Sequence, residues 1–223
     1  MKRLISENPF FFAAFGLWLL LGGWWLLEHS AGEEIMFWSG HRSGFSDLLF
    51  KIFNHMGEGP AWVGLGLAGL FFRYRHTLVV ALTGFTVLWV SFLSKSFFAH
   101  ERPAAYLRRI GQLDQVNLVD GVDLHFGATS FPSGHTMSAF ALFGLIALLI
   151  PYKRLPALGL FLIALLVAMA RIYLVQHFLK DVYAGSIFGV AIAMAVYAIQ
   201  RHYPQDVPAW YNRGLSGLIR PSA

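Results

Sequence analysis

Residues 10–27 read FFFAAFGLWLLLGGWWLL, eighteen positions without one charged side chain, and Lys2 and Arg3 lie just ahead of them. At 1.5 Å per residue, a helix needs about 20 apolar residues to cross the hydrocarbon of a bilayer. The stretch outruns the apolar region of a secretory signal, which extends to about 15 residues. His29-Ser30-Ala31 behind it is a poor cleavage site. The stretch reads as a retained transmembrane helix.

The rest of the chain repeats the pattern, with further apolar stretches at 61–72, 78–98, 136–150, 155–175 and 182–199. Pro60, Pro151 and Pro156 fall at the ends of stretches, where a missing N–H costs little. Gly64, Gly66 and Gly69 lie inside the second stretch and suit close helix packing in lipid. The whole chain has 223 residues, 57% hydrophobic and 13% charged, against about a quarter charged in a soluble domain. That is too little charge to coat a water-facing globule. It excludes a disordered tail, a coiled coil and an ordinary soluble enzyme. The absence of cysteine excludes disulfides, haem attachment and thiolate metal sites. The expected fold is all-α, a six-transmembrane-helix bundle forming one unit over residues 1–223.

Charge asymmetry orients this bundle. Arg73 with Arg75, Lys153 with Arg154, and Lys2 with Arg3 flank the spans on one side, which the positive-inside rule assigns to the cytoplasm. Of the 12 acids only Glu7 and Asp206 fall on that side. Both termini are then cytoplasmic. Between the first two spans, Phe45, Leu48, Leu49, Ile52, Phe53 and Met56 recur at helical spacing, with Ser46, Asp47, Lys51 and Asn54 on the other face. This is a short amphipathic helix that either lies on the outer leaflet or caps the bundle against its own loops.

Three polar clusters remain, all on the outer side in this topology. The third stretch leads into Lys95 and Arg102-Pro103. Lys95 and Arg102 are seven apart, two turns of a helix, so both point the same way, and Pro103 helps to end the span. By itself this pair reads equally well as interfacial snorkelling or as a functional pair. The fourth stretch opens with Phe131-Pro132-Ser133-Gly134-His135-Thr136. Ser133 suits a helix cap, Gly134 lets backbone approach a ligand, and the free N–H groups of a helix start attract an anion. By itself it reads as an ordinary cap with an incidental His. The third cluster holds Arg171, His177 and Asp181. His177 and Asp181 are four apart and within hydrogen-bond reach on one helical face. Arg171 and His177 would point about 240° apart on a continuous helix, so a break is expected between them. By itself this reads as a surface His–Asp pair. Together, two His, one Asp and three cations on one face describe a phosphate site. The cations clamp the oxygens, one His attacks, and the other protonates the leaving oxygen.

With these residues the chain resembles the type-2 phosphatidic acid phosphatase superfamily of integral-membrane lipid phosphatases. The family pattern is Lys-x6-Arg-Pro, then Pro-Ser-Gly-His, then Ser-Arg-x5-His-x3-Asp. Lys95 with Arg102-Pro103, then Pro132-Ser133-Gly134-His135, then Arg171, His177 and Asp181 match it in order and spacing, within about residues 60–199. Ala170 stands where the family has Ser, so any hydrogen bond from that Ser to the phosphate is absent.

The resemblance implies that His177 is the nucleophile and forms a phosphohistidine, while Asp181 holds its other ring nitrogen. It implies that His135 is general acid to the leaving group and then base for the hydrolytic water. Lys95, Arg102 and Arg171, with Ser133 and the backbone at Gly134, would bind the phosphoryl oxygens. No metal or other cofactor is implied, because three cations and a helix N-terminus supply the charge that Mg²⁺ otherwise provides.

The implied substrate is a membrane lipid phosphate or diphosphate, and no nucleic acid is involved. Phosphatidic acid, phosphatidylglycerophosphate, undecaprenyl pyrophosphate and the phosphates of lipid A all fit, with the tail between helices. Residues 104–131 are expected to line the entrance. Arg108 and Arg109 there are either a contact for a second phosphate or a solvated charge pair. Small size and short loops favour a bacterial inner membrane, with the active site facing outward. Two other readings fit less well. A vanadate-dependent haloperoxidase would be soluble. A non-enzymatic or transport protein with an anion site would show charges in mid-helix, and here they cluster at helix ends.

Overall fold

The structure is a computed structural model that describes residues 2–150, 154–202 and 208–216. Lys153, Pro151 and Asp206 lie outside the described residues, as do the side chains of Lys2 and Arg3. In chain order the helices are α1 (Lys2–Glu7), α2 (Pro9–Glu28), α3 (Glu33–Gly40), α4 (Gly44–His55), α5 (Gly59–Phe72), α6 (Tyr74–Phe98), α7 (Pro103–Arg109), α8 (Gly134–Leu149), α9 (Leu155–Tyr173) and α10 (Leu179–His202). Among the described residues there is no strand.

All six apolar stretches are helical, as α2, α5, α6, α8, α9 and α10. Four of them, α2, α6, α9 and α10, are long and apolar enough to cross a membrane. The other two, α5 and α8, have 14 and 16 residues, or about 21 and 24 Å of rise. Helix α8 packs against α6, α9 and α10. Almost every residue from Thr136 to Leu148 is buried, which is why the helix is apolar all round and shows no polar stripe. Pro60 and Pro156 sit in the first turns of α5 and α9, where no hydrogen bond is lost. The outer helices turn Leu20 and Trp24 on α2, and Leu88 and Phe97 on α6, away from the protein. Such a belt suits lipid rather than water.

The closest helix contact is between α8 and α10. A Cβ on Gly185 would lie 2.7 Å from the Ser133 carbonyl oxygen, and one on Gly189 would lie 2.5 Å from that of Met137. Only glycine permits this approach, and the two are one helical turn apart, as in small-xxx-small packing. Indole hydrogen bonds fasten neighbouring helices, Trp18 to Ser186 at 2.9 Å and Trp62 to Ser138 at 2.7 Å. The role expected for Gly64 and Gly66 is not met, since an added Cβ at either would have no neighbour within 4 Å. Gly69 does pack closely, against Thr77 across the α5–α6 turn.

Two local expectations change. Helix α6 ends at Phe98, where Ala99 takes a left-handed φ of 44°, so Arg102 is not on the same helix as Lys95. Arg102 is instead extended and immediately precedes α7, with Pro103 in its first turn. Helix α4 is the expected amphipathic segment, but its polar face is not its solvent face. Asp47 and Ser46 bond the Tyr173 hydroxyl on α9, and Phe50 is buried against the Tyr173 ring. Phe45, Leu48 and Ile52 point outward. The inner face of α4 caps the bundle, and its outer stripe is of the kind an interfacial helix presents.

Candidate active site

Helix α9 stops at Tyr173 and α10 starts at Leu179, so the chain breaks between Arg171 and His177 as the spacing requires. The Arg171 carbonyl accepts the backbone N–H of both Gln176 and His177. Val175, in the middle of the turn, has a φ of 58°, a strained conformation for a β-branched residue. The turn buries His177, which is 1% exposed. Its Nδ1 lies 3.4 Å from Asp181 Oδ2. The same carboxylate oxygen accepts the Ser130 hydroxyl at 2.5 Å and the Phe178 backbone N–H at 2.9 Å. Nδ1 is therefore the tethered ring nitrogen and Nε2 is the other one. Burial, reinforced by the Arg171 charge and only partly offset by Asp181, pushes the His177 imidazole down to about 4. At neutral pH the ring is uncharged and has a lone pair to donate.

Cations from three elements surround this dyad. Arg171 is 6% exposed, and its Nη1 donates to the Asn54 side-chain oxygen of α4. Arg102 reaches the Gln176 carbonyl at 3.3 Å through Nη1 and is held by Thr129 through Nε. Its own backbone N–H bonds the Gly127 carbonyl at 2.8 Å. Lys95 comes from the last turn of α6, beside the start of α8. Ser133 caps α8 by accepting the Thr136 N–H, and its own N–H bonds the Asp181 carbonyl at 3.0 Å. A Cβ on Gly134 would stand 2.9 Å from Ser91 Oγ and 3.5 Å from Lys95 Nζ. Gly134 thus admits α6, and with it the lysine, to the helix start.

His135, in the first turn of α8, has Nε2 3.5 Å from Glu58 Oε1. Burial opposes ionisation of Glu58, but the His55 hydrogen bond and the His55 and His135 charges outweigh it and hold the carboxyl below its usual range. Two cavities meet at this pair. One, of about 710 Å³, runs between α5 and α6 past Trp62, Val63, Phe85 and Leu88. The other, of about 420 Å³, is polar and is lined by Asn54, Arg171 and residues 121–123 of the loop between α7 and α8.

The structure thus brings Lys95, Arg102, Ser133, Gly134, His135, Arg171, His177 and Asp181 to one end of the bundle. The α7–α8 loop lines the polar cavity through residues 121–123 and His125. Arg109 is paired with Glu101 at 2.9 Å, and the Arg108 guanidinium lies 3.8 Å over the Phe126 ring, so both are engaged within the protein. Ala170 is buried in an apolar cluster with Phe50, Tyr173 and Leu174. Sequence reasoning missed Ser130, Asn54 and Glu58. Asn54 and Glu58 lie far from the motifs and have no local signal, although Glu58 directly before Gly59-Pro60 marks a helix start, whereas Ser130 lies just ahead of Pro132-Ser133-Gly134-His135 and only its reach to Asp181 is hidden from the sequence.

The solved structures similar to this chain include Aquifex aeolicus LpxE, at 27% identity and a TM-score of 0.64, covering 77% of this chain and 97% of that one. The crystal structure of the first transmembrane PAP2 type phosphatidylglycerolphosphate phosphatase from Bacillus subtilis has a TM-score of 0.60 at 23% identity. It covers 93% of this chain and 100% of that one, and at this identity it is a likeness of fold. No curated protein sequence matches significantly. Residues 74–207, more than half of the chain and all three motifs, match the model of the PAP2 superfamily, and the chain belongs to that superfamily.

Proposed function

We propose that this protein hydrolyses the terminal phosphate of a membrane lipid phosphate or diphosphate, at the outer face of a bacterial inner membrane, through a phosphohistidine and without a metal ion. The observation that carries this reading is a buried His177–Asp181–Ser130 set among Lys95, Arg102 and Arg171, placed where an apolar groove meets a polar pocket at His135. Phosphatidic acid, phosphatidylglycerophosphate, undecaprenyl pyrophosphate and lipid A phosphates share the needed chemistry, a phosphate on an apolar tail. The α5–α6 groove suits the tail. All six apolar helices span the membrane in this reading, with Arg73, Arg75 and Arg154 at the end away from the site.

In the first step the three cations and the N-terminus of α8 hold the phosphoryl oxygens. His177 Nε2 attacks phosphorus in line with the leaving oxygen. The imidazolium that forms is stabilised through Nδ1–H by Asp181, which Ser130 and the Phe178 N–H keep oriented. As the P–O bond breaks, His135 gives its proton to the departing oxygen and the lipid leaves, as an alcohol from a monophosphate or as a lipid monophosphate from a diphosphate. Water then attacks the phosphohistidine, His135 takes the water's proton, and the P–N bond breaks to release phosphate. The charge neutralisation that Mg²⁺ supplies in other phosphoryl-transfer sites falls here to the chain's own cations.

Phosphate release from a panel of these lipids in detergent with EDTA tests the proposal. Wild type is expected to turn over at least one of them, and His177→Ala to lose activity by at least about 10³-fold. Full activity in that variant would rule out the nucleophile, and complete loss with EDTA would rule out the metal-free reaction.

A further inference from the structure

A general acid must carry a proton at the moment of bond cleavage, and His135 stands in surroundings that oppose one. Arg171 faces it from α9 and His177 from the α9–α10 turn, and Lys95 of α6 stands 3.5 Å from where a Cβ on the preceding Gly134 would lie, all cationic or capable of becoming so. Asp123 and His125 of the α7–α8 loop lie across the polar cavity, with Lys51 of α4. The nearby acid, Asp181, is committed to His177, Ser130 and the Phe178 N–H. Like charges at short range disfavour an imidazolium. The site as drawn by the family motifs therefore lacks a counter-charge for its acid.

We propose that Glu58 is that counter-ion, a positioning residue outside the motifs that favours the charged form of His135 and aims it, and that Asn54 and His55 hold Glu58 in place. The inference rests on the phosphatase reading above. Glu58 Oε1 is 3.5 Å from His135 Nε2. His55 Nδ1 lies 3.1 Å from both Glu58 oxygens, and Asn54 Nδ2 donates to Oε1 at 3.4 Å. The other end of the Asn54 amide accepts from Arg171, so one side chain sets the separation between a phosphate ligand and the counter-ion. Glu58 is the N-cap of α5, yet its side chain makes no capping bond, which leaves the carboxylate for His135. The turn itself rests on His135, since a Cβ on Gly57 would lie 2.9 Å from the His135 carbonyl oxygen. Glu58 also lines both cavities, so the leaving group departs past it. It contributes no atom to the reaction. The proton moves from His135 to the leaving oxygen and returns to His135 from water while Glu58 stays ionised.

This role has a signature that a structural one lacks. Protonation matters for a poor leaving group such as an alkoxide and little for p-nitrophenolate, whereas phosphate binding and attack by His177 serve both. Purified wild type and Glu58→Gln are assayed on dioctanoyl phosphatidic acid and on p-nitrophenyl phosphate. The ratio of alkyl to aryl kcat/KM is expected to fall by about tenfold or more, within the range general acids supply. Glu58→Asp should give an intermediate ratio. The alkaline limb of the alkyl pH profile should move to lower pH in Glu58→Gln. Equal losses on both substrates, or no change in the ratio, would overturn the inference while leaving the phosphatase reading standing. A wild type that turns over neither the lipid nor the rest of the panel would overturn that reading instead. If Glu58→Gln does not fold, His55→Ala at an exposed position reads the same ratio. A smaller fall in the same direction is then expected, and an unchanged ratio counts against the proposal.

Discussion

Ser130 donates to Asp181 at 2.5 Å and lies 3.4 Å from the same His177 nitrogen that Asp181 engages. In Ser130→Ala the buried Asp181 oxygen loses its shortest bond, which costs about 1–3 kcal/mol when an acceptor is left short of partners. The expected outcome is a fall of about tenfold in kcat with KM little changed, measured by steady-state phosphate release. A rise in KM with kcat unchanged would place Ser130 with the phosphate ligands instead. At this scale the dyad was legible because His177 and Asp181 are local in sequence. Ser130 was not, because its partner lies 47 residues further on, and its place just ahead of Pro132-Ser133-Gly134-His135 does not reveal which side chain it meets. The same holds for Asn54, which reaches Arg171 over 117 positions.

Helix boundaries were legible and helix faces were less so. The six apolar stretches recur in the structure within a few residues, since hydropathy and proline positions act locally. The seven-residue spacing of Lys95 and Arg102 suggested one helix face, but α6 stops between them and the two cations converge from different elements. Glycine roles also depended on neighbours. Gly189→Ala must push α10 off the Met137 carbonyl, whereas Gly64→Ala enters open space. The first is expected to cost about 1–3 kcal/mol through overpacking, read as a lower thermal midpoint in detergent and reduced activity through the Ser133–Asp181 contact. The second should be neutral or slightly stabilising, since Ala is the better helix former. Equal midpoints for the two variants would contradict the α8–α10 packing.

Across the whole molecule, burial of a titratable dyad links stability to pH. The His177 ring ordinarily titrates at 6.5 and is held at about 4 in the folded protein. Above 6.5 the ring is neutral whether the chain is folded or not, and the folded state suffers no penalty. As pH falls from 6.5 towards 4, the unfolded ring takes a proton that the folded ring refuses, so stability drops across that window and the loss is complete below it. The thermal midpoint in detergent should decline over this range, and His177→Asn should flatten part of the decline. A wild-type midpoint that rises on acidification would contradict the burial.

The sequence alone determined that this chain is a helical membrane protein with a three-part phosphate motif, because hydropathy, proline placement and motif spacing are properties of neighbouring residues. Tertiary structure decided how the motif becomes a site. The α8–α10 contact that sets Ser133 beside Asp181, and the α4–α5 turn that brings Asn54 and Glu58 to Arg171 and His135, join residues distant in the chain. Such contacts depend on how helices pack, and packing follows from the shape of every face at once.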